Sequence, residues 1–464
     1  MNGKHITKLG FTHKSIGLAL AAAQVREDAG MVRQDILDEL SQVQANPGAY
    51  QSGIHGALVT ELLAQQAHTD LHAADKLRPA PLPYAQFGAE LIDPGALRQM
   101  DVAMQLPISR AGALMPDAHV GYGLPIGGVL ATEGAVIPYG VGVDIGCSMM
   151  LSVFPNAQLG TAQEALLLNK HTRFGAGVGW DKRERLDHPV LSDPAWDALP
   201  LLRHLFDKAQ TQLGTSGSGN HFAEFGTLTL AAPDLGLEAG EYLALLSHSG
   251  SRGFGAQVAG HFTKLAEGAH PTLDPSAKKL AWLDLGGEDG QAYWLSMTLA
   301  GRYALANHEQ IHARIARALG ETPLLQVSNS HNLAWKQMVQ GRELIVHRKG
   351  ATPAARGQLG LIPGSMADPG YVVRGRGLPA SLESASHGAG RQLGRKAAIA
   401  ALAKKDVQAY LDKRGITLIG GGIDEAPQAY KRIEDVIAAQ RELVDVLATF
   451  QPRTVRMDSG SEDI

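Results

Sequence analysis

From residue 1 to about 85, apolar side chains recur every three or four positions, which predicts helices. Ile16-Gly-Leu-Ala-Leu-Ala-Ala-Ala-Gln-Val25 is made largely of strong helix formers. Ile36, Leu37, Leu40 and Val43 keep to one helical stripe, and Leu58, Leu62 and Leu63 repeat it. Lys76 to Pro83, with prolines at 79, 81 and 83, reads as an extended linker, so a boundary is placed near residue 85. Between 86 and 230 the pattern changes to β-branched runs between glycine turns, such as Gly128-Val-Leu-Ala-Thr and Val136-Ile-Pro, which predicts short strands joined by functional loops. Helical spacing returns over 292–319, 396–412 and 427–448, with strand signals at Tyr242–Ser247, Glu343–His347 and Tyr371–Arg374. Strands and helices interleave, so the class is α/β (α+β). No internal repeat of fixed period occurs. Asp458 to Ile464 are small and acidic and read as a frayed tail.

Composition narrows the function. A chain of 464 residues is long enough for two or three domains. With 44% hydrophobic and 19% charged residues it can fill a core, which excludes wholesale disorder. Aromatics at 5% argue against a platform that stacks many bases. Glycine is the outlier, 54 residues against a usual share of about 7%, with no Gly-X-Y period, so the glycines serve tight turns and close backbone approach. A net charge of -4 argues against a protein that coats DNA and leaves room for a local cationic groove. The one cysteine, Cys147, has no internal disulfide partner, which fits a reducing cytoplasm. Neither a secretory signal nor an apolar run long enough for a membrane helix is present, and the expected location is cytoplasmic.

The chemistry gathers in six polar blocks. The first joins Met115-Pro-Asp-Ala-His-Val-Gly-Tyr-Gly123 to Gly142-Val-Asp-Ile-Gly-Cys147. Asp144 and Cys147 stand three apart between glycines, where a carboxylate and a thiolate can grip one metal or two adjacent ones. The alternative is a buried cysteine acting as a small hydrophobe. Gly214-Thr-Ser-Gly-Ser-Gly-Asn-His-Phe-Ala-Glu224 exposes backbone N–H groups that can cradle phosphate, or is a plain turn; no Walker lysine follows. Ser247-His-Ser-Gly-Ser-Arg-Gly253 and Ser328-Asn-Ser-His-Asn332 add histidines on small-residue loops, where local hydrogen bonding is the simpler reading of each alone. His347-Arg-Lys-Gly-Ala-Thr352 is followed by Pro363-Gly-Ser-Met366. In Ser386-His-Gly-Ala-Gly-Arg391 the imidazole of His387 stands among residues with almost no side chain. It can act as a covalent nucleophile or cap a helix beginning near Arg395.

Together, in this order, these blocks resemble the RtcB family of RNA-splicing ligases, from about residue 86 to the C-terminus and including Ile423-Asp-Glu-Ala-Pro-Gln-Ala-Tyr-Lys431. The resemblance implies a mixed β-sheet core flanked by helices at 86–464, behind a helical extension and linker at 1–85. It implies an enzyme that uses GTP and two Mn²⁺ ions to join RNA 3′-phosphate or 2′,3′-cyclic phosphate ends to 5′-hydroxyl ends. By matching position, Asp144, Cys147, His221, His248 and His331 are the implied metal ligands, with Cys147 shared by both ions. His387 is the implied guanylylated nucleophile. Asn220, His221, Phe222, Ala223, Glu224, His331, Asn332, Pro363, Gly364, Ser365, Met366, Gly388, Ala389 and Gly390 are the implied nucleotide contacts. Arg252, Lys349 and Arg391 are further candidates for phosphate contact. The manganese assignment rests on the resemblance, because a thiolate with three imidazoles favours Zn²⁺ on affinity. RNA is the expected partner, a monomer the expected state, and an archease-type activator is a partner used by some relatives.

The chain departs from the family pattern in several places. Ser148 stands where glycine is usual, Asn307-His308 where Asn-Arg is usual, and Gly370 where a nucleotide-contacting serine is expected. Met457, beside Arg456, occupies the place of a lysine that holds guanine. These changes leave the implied metal set and nucleophile intact and bear on guanine selectivity. Two other functional classes follow from them: a metal-dependent RNA-end phosphoesterase or decyclase without nucleotidyl transfer, and a non-catalytic RNA-end binder. The N-terminal extension could clasp substrate or serve as a packing appendage.

Overall fold

The computed structural model describes residues 1–155 and 159–459. Of the acidic tail, residues 460–464 lie outside the described residues.

Two compact units are formed. The first comprises Met1–Lys76 with Pro271–Leu273. Its helices Lys14–Asp28, Arg33–Ala45 and Gly56–Ala74 bury the predicted stripes, with Ile36, Leu40, Val43, Leu58 and Leu62 in one core beside Phe11 and Ala19. Leu37 is half-buried at the edge of its stripe, and Leu63 is exposed.

The second unit, 77–270 and 274–464, holds two main sheets. One has five strands in the order Ala85–Gln86, Ser109–His119, Ile126–Thr132, Arg342–Lys349, Asn332–Val339, antiparallel except for the first pair. The other has eight. Seven follow the order Leu359–Ile362, Gly370–Gly375, Val444–Met457, Phe222–Leu230, Gly240–Ser249, Ser148–Phe154, Leu325–Ser330, and Thr417–Ile419 pairs parallel with Val444–Met457. Met149, Leu151, Val153, Leu228, Ala244, Leu246 and Phe450 form a core on one face of this sheet. The class is α/β, as expected.

The helix predicted over 292–319 spans Glu288–Leu319. Glu288 and Asp289 sit at its N-terminal end and Arg317 in its last turn, the charge order that suits the helix dipole. Gly320 closes it in the left-handed region, φ 73°, bonding back to Ala316 and Arg317.

Two predicted elements differ. The segment 396–412 is two helices, Arg395–Ala401 and Lys404–Lys413. The helix expected over 427–448 is reduced to Ile433–Ala438, followed by the strand Val444–Met457. Ile433 and Val436 satisfy a helical stripe for little more than one turn. Beyond them Val444, Val446, Ala448 and Phe450 alternate, and pairing with Gly370–Gly375 on one side and Phe222–Leu230 on the other favours the extended form.

Among the described residues no helix is long and apolar enough to cross a membrane.

Candidate functional site

Register brings the polar blocks together. In the eight-strand sheet Phe222 pairs with His248, Ser148 with Ser249, and Ser148 also with Ser330. Two of these four adjacent strands begin at that edge and two end there. His221 and Cys147 therefore immediately precede their strands, His331 immediately follows its strand, and His248 lies at the end of the fourth. Neighbouring strands are about 4.8 Å apart, so side chains at such an edge can share a ligand.

The resulting cluster is tight. Cys147 Sγ lies 3.1 Å from His248 Nε2 and 3.4 Å from His221 Nε2. His248 Nε2 is 3.2 Å from His331 Nε2, and His221 Nε2 is 3.1 Å from Asp144 Oδ2. Two triads result, Asp144–Cys147–His221 and Cys147–His248–His331, each with its donor atoms within 4.8 Å of one another and with Cys147 common to both.

The surroundings aim these donors. His248 Nδ1 donates to the Asn220 carbonyl at 3.0 Å, which leaves Nε2 free to coordinate. Arg252 Nη2 reaches His221 Nδ1 at 3.0 Å. Gly250 and Gly217 are required by contact: a Cβ on Gly250 would lie 2.3 Å from Asp144 Oδ2, and one on Gly217 1.4 Å from Arg252 Nη1. Gly146, φ 75°, admits the helix Glu288–Leu319, because a Cβ there would lie 2.9 Å from Gly301 Cα.

Electrostatics agree with a cation centre. Burial opposes the charge on Asp144, yet His221 close beside it, with Arg252, holds the carboxyl well below its ordinary value. Burial drives His248 and His331 well below theirs, so both are neutral ligands. Burial, then the Asp144 carboxylate, pushes the Cys147 thiol well above its ordinary value, so a cation binding there displaces a proton. The buried Asp144 Oδ2 and His331 Nδ1 carry no hydrogen bond. A donor set of thiol, carboxylate and neutral imidazoles with an unbonded carboxylate oxygen fits two cations sharing Cys147.

His387 stands beside this cluster, its ring centroid 5.1 Å from that of His331. Its Nδ1 lies 2.6 Å from Asp117 Oδ2, which also accepts the His387 backbone N–H at 3.1 Å. Asp117 is fully buried. Burial opposes its charge, but the charge and hydrogen bond of His387, with Lys431 and His119 nearby, keep its carboxyl below the ordinary value. Lys431 Nζ donates to the Pro116 and Ala118 carbonyls on either side. Gly350, φ 60°, makes room for the ring, since a Cβ would lie 3.1 Å from His387 Cε1. Gly394, not His387, caps the helix at Arg395, so the capping alternative falls away.

A cavity of about 870 Å³ contains His248, His331 and His387. Of the implied nucleotide contacts, Asn220, Phe222, Pro363 to Met366 and Gly388 to Gly390 also line it, as do Arg391 and Met457. The other implied contacts lie elsewhere. Ala223 and Glu224 are buried in the strand Phe222–Leu230, where burial pushes the Glu224 carboxyl well above its ordinary value. Asn332 Oδ1 accepts the Gly350 N–H at 2.7 Å. Asp144, His221 and Arg252 line a separate cavity of about 290 Å³. Lys349 is buried, donates to the Tyr122 carbonyl, and is lowered by burial to about 7. Arg391 pairs with Glu425 at 2.9 Å and Tyr430 at 3.2 Å. Gly370 lies in its strand with a Cβ position 3.5 Å from Pro363 Cα. Sequence reasoning missed Asp117 and Lys431 as functional residues, although both lie in the blocks that carry the resemblance.

The chain resembles known proteins along this whole unit. A family model described as tRNA-splicing ligase RtcB matches residues 99–188 and 167–458. The RNA-splicing ligase RtcB of Escherichia coli (strain K12) is 32% identical over 395 residues, 78% of this chain and 93% of that protein. The RNA-splicing ligase RtcB of Mycobacterium tuberculosis is 33% identical over 419 residues, 75% of this chain and 96% of that protein. The tRNA-splicing ligase RtcB of Nanoarchaeum equitans is 30% identical over 433 residues, 77% of this chain and 90% of that protein.

Proposed function

The chain belongs to the RtcB family, and from that premise we propose that it is an RNA ligase that forms a GMP adduct on His387 and joins 3′-phosphate or 2′,3′-cyclic phosphate ends to 5′-hydroxyl ends. The observation that carries this reading is the His387–Asp117 pair at 2.6 Å, with His387 on the same cavity wall as His248 and His331 of the Cys147–His248–His331 triad. Cavities that hold a small ligand span about 300–1,000 Å³, so the space suits a nucleotide.

Asp117 accepts the Nδ1 proton of His387, which leaves the Nε2 lone pair as the nucleophile. The two triads would hold two divalent cations, manganese by family resemblance, and these would offset phosphate charge. His387 Nε2 attacks the α-phosphorus of GTP, a P–N bond forms, and pyrophosphate leaves. The Asp117 carboxylate stabilises the positive charge that the ring gains. An oxygen of the RNA 3′-phosphate then displaces His387, and GMP moves to the RNA end; a cyclic end is first opened by water. The 5′-hydroxyl of the second strand attacks the phosphorus of the RNA 3′-phosphate, the bond to the bridging oxygen breaks, GMP leaves, and the hydroxyl proton passes to solvent. Arg391, on the cavity wall, is suited to bind a phosphate.

The experiment is incubation of the chain with labelled GTP and Mn²⁺. A covalent GMP adduct that His387→Ala abolishes is expected, and no adduct with any divalent metal refutes the reading. A second reading, a phosphoesterase or decyclase, is favoured by Met457, which presents no hydrogen-bond donor to the cavity. Opening of a cyclic phosphate without GTP, and without joining, would select it.

A further inference from the structure

Behind the metal face, on the other side of the strand Gly240–Ser249, runs a buried chain of hydrogen bonds that the proposed chemistry does not use. Exposed Gln326 donates through Nε2 to Ser152 Oγ at 2.9 Å. Ser152 Oγ lies 2.7 Å from His312 Nδ1, and His312 Nε2 lies 2.8 Å from Ser247 Oγ. Ser247 Oγ lies 2.7 Å from His308 Nδ1, and His308 Nε2 reaches the Ser249 carbonyl at 3.1 Å. Ser152, Ser247, His308 and His312 are all fully buried.

The two ends fix the direction of this chain. The Gln326 amide nitrogen can only donate and the Ser249 carbonyl can only accept. Each hydroxyl between them has a single proton to donate, and each neutral imidazole offers one donor and one acceptor. Both rings must therefore carry their proton on Nε2. Burial lowers His308 to about 4 and His312 well below its ordinary value, so both rings are neutral near pH 7.

The end of the chain falls on the two residues that flank a proposed ligand. His308 bonds the side chain of Ser247 and the carbonyl of Ser249, the two residues that flank His248. Its neighbour Asn307 donates to Ser249 Oγ at 2.9 Å and accepts the Gly214 N–H at 2.8 Å, at the start of the loop that leads to His221. We propose that His308, as the terminus of this chain, is a positioning residue that sets His248 Nε2 in the two-cation centre. The inference rests on that centre and not on nucleotide transfer. It does not extend to an arginine at 308, which has no acceptor for the Ser247 hydroxyl.

The test uses the full chain with Co²⁺ as probe, whose thiolate charge-transfer absorption reports binding at Cys147. Metal-free thermal unfolding checks that each variant is folded. His308→Leu should weaken Co²⁺ binding ~10–100-fold, the range typical of groups that orient a metal ligand. His308→Gln, which keeps a donor towards the Ser249 carbonyl, should recover most of the loss. Ser247→Ala removes one hydroxyl and little volume, and it should weaken binding in the same sense. Wild-type affinity in folded His308→Leu overturns the proposal, and wild-type affinity in Ser247→Ala overturns it should His308→Leu not fold. The ligase reading fails separately: a wild-type chain that binds Co²⁺ in a His308-dependent way yet forms no GMP adduct sinks that reading and supports this one.

Discussion

Replacing Asp117 by Asn separates orientation of the nucleophile from binding of the nucleotide. The substitution keeps shape at a fully buried position and removes one negative charge. Asp117 Oδ2 accepts two hydrogen bonds from His387, at 2.6 Å from the ring and 3.1 Å from the backbone. A hydrogen bond to a charged group contributes about 1.5–3 kcal/mol. At about 1.36 kcal/mol per tenfold, loss of that assistance slows adduct formation ~10–150-fold. A larger loss follows if the new amide turns its NH₂ towards Nδ1. The ring proton then moves to Nε2, the nucleophile is blocked, and the loss approaches the ~10⁴-fold known for such an exchange in a catalytic triad. Asp117 is not on the cavity wall, so the GTP concentration for half-maximal rate should change far less than the maximal rate. The assay is the single-turnover time course of labelled GMP adduct across GTP concentrations. A maximal rate within threefold of wild type would show that the 2.6 Å contact does not orient His387.

Three further outcomes are expected. In Gly250→Ala the new Cβ meets Asp144 Oδ2 at 2.3 Å; Co²⁺ titration should show weakened binding while the metal-free melting temperature moves little, and unchanged affinity would mean that Asp144 is no ligand. Met457→Lys places a donor on the cavity wall and should raise the preference for GTP over ATP in adduct formation; an unchanged ratio would place the base elsewhere. Burial lowers His119, His308 and His347 to about 4, from about 6.5 in an unfolded chain. Their folded values are depressed, so stability is full above pH 6.5 and drains as pH falls towards 4, each histidine costing up to about 3 kcal/mol. The urea midpoint of the metal-free chain should therefore fall between pH 7 and 5, and a flat midpoint there contradicts the burial of these rings.

How far the sequence was legible depended on the range of the interaction. Local periodicity was enough for the N-terminal helices and for the helix ending at Leu319, because a stripe of Ile36, Leu40 and Val43 needs one apolar partner surface and no particular register. It failed at 427–448. There Val444 to Phe450 become a strand because Gly370–Gly375 and Phe222–Leu230 offer partners on both sides, and those partners lie far away in the chain. The five implied metal ligands were nameable from the resemblance, but nothing local states that Cys147 and His331 are neighbours. That follows from the pairing of Ser148 with Ser330, a contact across 182 positions of sequence, 330 less 148.

Asp117 was missed for a related reason. Its block was named without a role for its carboxylate; Ser109–His119 is a strand of the other sheet, and only the tertiary fold sets that carboxylate against His387. The same reasoning explains why the chemistry is held so firmly. Cys147, His221 and His248 lie on or next to the ends of strands paired on both sides, and His331 follows an edge strand paired on one, so the backbone beside each is tied into the ladder. Asp144 is the exception, held on a glycine turn and bonded instead by the Ser251 N–H at 3.1 Å. A donor set built in this way can tolerate a changed side chain at Met457, because Met457 meets Phe222 through backbone pairing that its side chain does not enter. Base selectivity can therefore drift while the cation centre and His387 stay in place.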